Sequence, residues 1–129
     1  MQIAIACLLF SALMVVLTKV PLAMQMAKDE RGYDNRNPRQ QQAGLTGFGA
    51  RALAAHQNMI EAFPIFAAGV LVALVSGATG AWLPGLALTF VGARIVYSIC
   101  YWADLPTLRS TFWVIGYGAS IGLMGLALF

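Results

Sequence analysis

Four long apolar runs divide the chain: Ile3 to Met24, Ala52 to Val75, Ala81 to Trp102 and Leu108 to Phe129. Each, as a helix, is long enough to cross a hydrocarbon layer of ~30 Å. The runs are too long for barrel strands, and a backbone in lipid must satisfy its own polar groups. The pattern predicts an all-α, integral membrane four-helix bundle, with residues 1–129 forming one transmembrane domain. Its helices cover about 3–26, 48–75, 81–102 and 106–128. One polar stretch interrupts the pattern, KDERGYDNRNPRQQQAGLT from Lys28 to Thr46. Gly32, Asn35 to Pro38 and Gly44 mark turns in it, so the segment from about 27 to 47 reads as an ordered loop.

Local signals refine these elements. Pro21 is expected to kink the end of the first helix. Pro64 should bend the second and free a backbone carbonyl near Ile60. Asp104 and Pro106 look like a helix start, with Asp104 as N-cap of the fourth helix. Trp82, Trp102 and Trp113 lie near the expected interfaces, as belt residues do. Ala67, Ala68, Gly69 and Ala73 are small enough to let another helix approach closely. GFGARA superficially resembles a dinucleotide-binding turn, but no strand precedes it. The first run lacks a basic n-region and an evident cleavage site and carries Lys19 near its far end. It reads as a retained helix rather than a signal peptide.

Composition narrows the class. With 60% hydrophobic and 10% charged residues, the chain cannot give a soluble domain a polar exterior. Lys28, Arg31, Arg36, Arg39 and Arg51 lie in or beside the first loop, and the positive-inside rule assigns that loop to the cytosol. The uncharged loop from Ser76 to Gly80 then faces outward, as do both termini. The net charge of +3 gives no reason to expect nucleic acid. Cys7 and Cys100 sit inside apolar runs without CxxC or Cys/His spacing, so neither a disulfide framework nor a metal site is expected.

Polar groups inside the second, third and fourth runs are the candidates for chemistry, because charge in a bilayer is costly. Arg51, Asn58 and Glu61 follow seven-and-three spacing and share a helix face; His56 is offset from them. Arg94, Tyr97 and Tyr101 form a second stripe, and Arg109 and Ser110 stand near the start of the fourth helix. If these faces converge, they make a basic, hydrogen-bonding pocket open to the cytosol and to lipid. Each group also has a structural reading. Asn58, His56 and Glu61 can be interhelical glue, with Glu61 paired to Arg51 or Arg94. Tyr97 and Tyr101 can be interface aromatics, and Arg109 a snorkelling charge. What favours a site is the number of such groups at one depth.

RALAAHQNMIEAFPIF (Arg51 to Phe66) resembles the signature of the MAPEG family, the membrane-associated proteins in eicosanoid and glutathione metabolism. YDNRNPR (Tyr33 to Arg39) is similar to its bacterial branch, and the Arg94, Tyr97, Tyr101 stripe followed by LRS at Leu108 to Ser110 is a third likeness. The resemblance implies a homotrimer in a bacterial inner membrane, with glutathione as co-substrate bound between subunits. Arg51, His56, Asn58, Glu61, Arg94, Tyr97 and Tyr101 match positions that bind glutathione or adjoin it. Arg109 and Ser110 match a catalytic pair beside the sulfur. The implied activity is glutathione transfer or peroxide reduction on lipophilic small molecules, by thiolate attack. Ala54 and Gln57 depart from the pattern, each standing where some members carry arginine, and Trp113 stands where one carries tyrosine. The alternative is a non-enzymatic trimer that binds membrane lipid or acts as a scaffold. A channel or transporter fits less well, because the polar residues cluster at one end.

Overall fold

The computed structural model describes residues 1–128, and they form an all-α bundle with four helical segments long and apolar enough to span a membrane. The first span is made of α1 (Gln2–Leu17) and α2 (Lys19–Met26). Ala4, Cys7, Ser11, Met14 and Thr18 are buried along α1 and its end, and Leu22 and Met26 along α2. Their three-and-four spacing keeps one seam against the bundle. The rest of α1 presents Ile3, Leu9, Leu13 and Val16 outward, as a lipid-facing or subunit-facing helix must.

The interruption falls at Thr18, three residues before Pro21. Pro21 has no N–H to donate to the Leu17 carbonyl, and its ring crowds that carbonyl. The kink signal therefore acts upstream of the proline itself. The Thr18 hydroxyl caps the break by donating to the Val15 carbonyl at 3.2 Å.

The polar stretch contains a short helix, α3 (Pro38–Ala43), that its turn-rich composition did not predict. Pro38 occupies the first turn, where a missing N–H costs nothing. Gln41 ties the loop together. Its Oε1 accepts from the Asp34 N–H at 2.9 Å, and its Nε2 donates to the carbonyls of Met26 (3.1 Å) and Gly32 (2.9 Å). Asp34 in turn accepts from the backbone N–H groups of Arg36 and Asn37.

α4 (Gly47–Val75) is the longest element, with Pro64 inside it but not ending it. Its 29 residues exceed the ~20 a bilayer requires. α5 (Trp82–Trp102) and α6 (Pro106–Gly125) follow, with a 3-10 turn over Leu126–Leu128. The core lies between α1, α4, α5 and α6. Phe66 of α4 stacks on Phe90 of α5 with centroids 3.9 Å apart and planes within 3°. Such a pair contributes about 0.5–1.5 kcal/mol beyond its area.

Gly69 sets the approach of α4 to α6: a Cβ there would lie 2.7 Å from the Ser120 carbonyl oxygen. Gly69 and Ala73 are thus used inside the protomer, while Ala68 is exposed. In lipid, close packing of this kind drives helix association where a hydrophobic force between helices is lacking. Asp104 does not cap α6. The cap position is Leu105, without a side-chain bond, and Asp104 sits in the turn with φ 59°. Its carboxylate instead faces Arg51, with Nη1 and Oδ2 3.9 Å apart.

Candidate functional site

A continuous chain of polar and aromatic groups crosses α4, α5 and α6. At its centre is Arg94, the largest fully buried side chain, with 1% exposure. Its Nη2 donates to Asn58 Oδ1 at 2.9 Å, and Asn58 Nδ2 donates to Glu61 Oε2 at 3.1 Å. The two bonds fix the amide orientation, since reversing it would set donor against donor and acceptor against acceptor. Asn58 is therefore the link between a cation and an anion on different helices. An isolated buried guanidinium would be very costly; here a neutral amide relays it to a carboxylate.

The other face of Arg94 rests on an aromatic ring. Its guanidinium carbon is 4.1 Å from the Tyr97 centroid, an arrangement worth up to about 2 kcal/mol when desolvated. Tyr97 meets Tyr101 edge to face, with centroids 5.7 Å apart and planes at 75°. Arg109 then lies over Tyr101 at 4.5 Å. The three-and-four spacing of Arg94, Tyr97 and Tyr101 on α5 produces this stack. Gly116 of α6 packs against it, and a Cβ there would sit in ordinary contact with Arg94 Cδ at 3.6 Å.

Two adjoining cavities open along the chain. The inner one, about 200 Å³, is lined by Glu61, Arg94, Ile65, Phe90 and Tyr117 among others. The outer one, about 280 Å³, is lined by Tyr97, Tyr101, Arg109, Ser110 and Val114. Asn58 and Trp113 border both. Trp113 stacks on Tyr117 at 5.2 Å with planes within 6°. A larger, open polar crevice of about 820 Å³ lies on the loop between Asp29 and Gln41, away from this chain.

Seven of the nine sequence candidates border these two cavities: Asn58, Glu61, Arg94, Tyr97, Tyr101, Arg109 and Ser110. Arg51 and His56 do not. Arg51 is taken by Asp104 and lies 6.0 Å over the Phe48 ring, rather than pairing with Glu61. His56 turns to the junction of α1 and α2, where its Nδ1 is 3.1 Å from Thr18 Oγ1. With the Thr18 hydroxyl given to Val15, His56 Nδ1–H is the donor in that contact.

Reading the sequence for charge overlooked the inner cavity's walls. Trp113 and Tyr117 are spaced one turn apart on α6, as are Gly116 and Ser120, and that double stripe was a usable signal. Among the described residues no group of three His, Cys, Asp or Glu side chains could hold a metal ion.

Four apolar spans around an internal Arg–Asn–Glu relay define a multi-pass integral membrane bundle whose polar groups gather towards one end. The sequence profile of the MAPEG family matches residues 3–129, and the chain belongs to that family. No curated protein and no solved structure matches it.

Proposed function

We propose that this protein is a glutathione-dependent transferase or peroxidase acting on lipophilic compounds by thiolate attack. The observation that carries the reading is the stack running from Glu61 through Asn58, Arg94, Tyr97 and Tyr101 to Arg109 along two linked cavities. Glutathione offers two carboxylates, an ammonium group and a thiol. Arginine holds carboxylates well, and Glu61 retains a second carboxylate oxygen for the ammonium. A thiol is mostly protonated at neutral pH, and a neighbouring arginine favours the nucleophilic thiolate. Arg109 fills that role in this reading, with the exposed hydroxyl of Ser110 donating to the sulfur. The thiolate then bonds to an electrophilic carbon as a leaving group departs. With a hydroperoxide it attacks the distal oxygen, releasing an alcohol, and a second glutathione yields the disulfide and water.

The reading includes a homotrimer in a bacterial inner membrane, with Lys28 to Arg39 in the cytosol. The apolar side chains exposed on every span supply surface for neighbouring copies, and the loop charges support the orientation. One observation favours a second reading, a non-enzymatic lipid-binding or scaffolding trimer. Arg51 is already engaged by Asp104, and Ala54 and Gln57 add no cation, so fewer charges meet glutathione's carboxylates.

Calorimetric titration of glutathione into detergent-purified protein decides between the two, alongside conjugation of a generic electrophile. Saturable binding with turnover is expected. Absence of both at cellular glutathione concentrations sinks the enzyme reading and leaves the scaffold.

A further inference from the structure

An open polar crevice lies apart from the α4–α6 site, on the loop that joins the first two spans. Arg31, Tyr33, Asn35, Arg36, Asn37 and Gln40 are among its walls. The loop is built rather than loose. Gln41 holds it through the Asp34 N–H and the carbonyls of Gly32 and Met26, and Gly32 turns the chain with φ 71°. A surface ordered beforehand loses little entropy when a ligand binds.

The loop's charges are spent unevenly. Asp29 accepts from the Arg31 N–H at 3.1 Å, and Asp34 from the N–H groups of Arg36 (2.8 Å) and Asn37 (2.9 Å). These two carboxylates serve the backbone. The guanidinium groups of Arg31 and Arg36 meet no carboxylate, since the sole ion pair among the described residues joins Arg51 to Asp104. Both arginines are exposed and line the crevice, each with a planar fork suited to phosphate oxygens. Across residues 28–39, Lys28, Arg31, Arg36 and Arg39 stand against Asp29, Glu30 and Asp34; four cations less three anions leave a net charge of +1. An excess that small attracts anionic lipid only weakly at a distance, so selection falls to directed bonds inside the crevice. Asn35, Asn37 and Gln40 add amides, which both donate and accept, as hydroxyl groups require.

The crevice also has a fixed place. Gln41 lines it and bonds Met26, the last residue of the first span. Lipid-exposed irregular backbone does not lie in hydrocarbon, so the crevice opens where that span leaves the bilayer. Lipid phosphodiesters are always present at that level, whereas a soluble phosphate must be drawn from dilute solution. We propose that the crevice binds the headgroup of an anionic phospholipid of the phosphatidylglycerol class, a monoanionic phosphodiester that carries hydroxyl groups. Arg31 and Arg36 hold the phosphate, and the amides of Asn35, Asn37 and Gln40 hold the hydroxyls. The bound lipid fastens the loop between α2 and α3 to the membrane surface. This inference is independent of either reading of the α4–α6 site.

Native mass spectrometry of the detergent-purified full chain, titrated with phosphatidylglycerol, counts the lipid retained per protomer. Phosphatidylmethanol with the same acyl chains keeps the charge but lacks the hydroxyls, and phosphatidylcholine lacks the net charge. Saturable retention of phosphatidylglycerol is expected, with phosphatidylmethanol about tenfold weaker and phosphatidylcholine not saturable. Arg31→Gln combined with Arg36→Gln should weaken phosphatidylglycerol retention about tenfold or more. Lys28→Gln combined with Arg39→Gln removes the same charge from outside the crevice walls and should change retention by less than about twofold. All four side chains are exposed, so the fold does not depend on them. Equal losses in the two double variants would reveal diffuse attraction and overturn the inference, as would equal retention of phosphatidylmethanol. Displacement of the lipid by micromolar glycerol 3-phosphate would assign the crevice to a soluble phosphate and overturn it too.

Discussion

Arg94 donates to Asn58 across the α4–α5 interface at 2.9 Å, deep in the bundle and one link from Glu61. Asn58 is the joint on which both charges depend. Removing it leaves a guanidinium without its acceptor and a carboxylate without its donor.

Asn58→Ala is therefore expected to destabilise the bundle by about 1.5–3 kcal/mol, the range for hydrogen bonds to charged groups. Unfolding in mixed detergent micelles checks this. A loss below ~0.5 kcal/mol would show that the relay is not what holds Arg94 in place.

Two glycines make a paired test of packing. Gly69→Ala places a Cβ 2.7 Å from the Ser120 carbonyl, whereas Gly118→Ala meets nothing within 4 Å. The first should cost about 1–3 kcal/mol as α4 and α6 separate. The second should be neutral or add up to ~1 kcal/mol through helix propensity. Equal effects from the two substitutions would contradict the α4–α6 contact.

Asp104 is mostly exposed and its contact with Arg51 is long, so Asp104→Asn should change stability by less than about 1 kcal/mol. Under the proposed function it should tighten glutathione binding, since an internal carboxylate no longer competes for Arg51. Calorimetry on the variant reports both affinity and its salt dependence. Weaker binding would instead mean that Asp104 orients Arg51 for the ligand.

Under the same reading the two arginines divide their roles. Arg109→Ala should slow conjugation about ten- to a hundredfold, the kinetic equivalent of ~1.5–3 kcal/mol, with little change in glutathione affinity. Arg51→Ala should lose affinity first. Steady-state kinetics with varied glutathione distinguishes the cases, and unchanged rate and affinity in both variants would favour the scaffold.

Single-cysteine labelling in intact cells and inverted vesicles checks the orientation. A cysteine at Asn35 should label only from the cytosolic side, and one at Thr79 only from outside. The reverse pattern would invert the topology.

The all-α membrane class was legible before any contact was known. Apolar runs of bilayer length leave the backbone no partner but itself, so helix formation and approximate ends follow from composition. The stripe Arg94, Tyr97, Tyr101 was equally legible, because helical period alone puts those three on one face. What period cannot supply is the partner that a face meets. Arg51 and Glu61 share a side of α4, yet they are ten residues apart, ~15 Å along the axis. Each therefore answers to a different neighbour: Arg51 to the α5–α6 turn, Glu61 to Asn58 and the inner cavity. His56, only two residues from Asn58, is swung to the α1–α2 break by the 100° step of the helix. Asp104 carries a good capping side chain, but its left-handed backbone turns it towards Arg51 instead. The inner cavity was legible only by half: helical period shows the Trp113/Tyr117 and Gly116/Ser120 stripes on α6, but not the helices they meet. The tertiary structure decided that, with the bare Gly69 letting α6 close on α4, because the fit of one helix surface to another is set by side chains far apart in the chain.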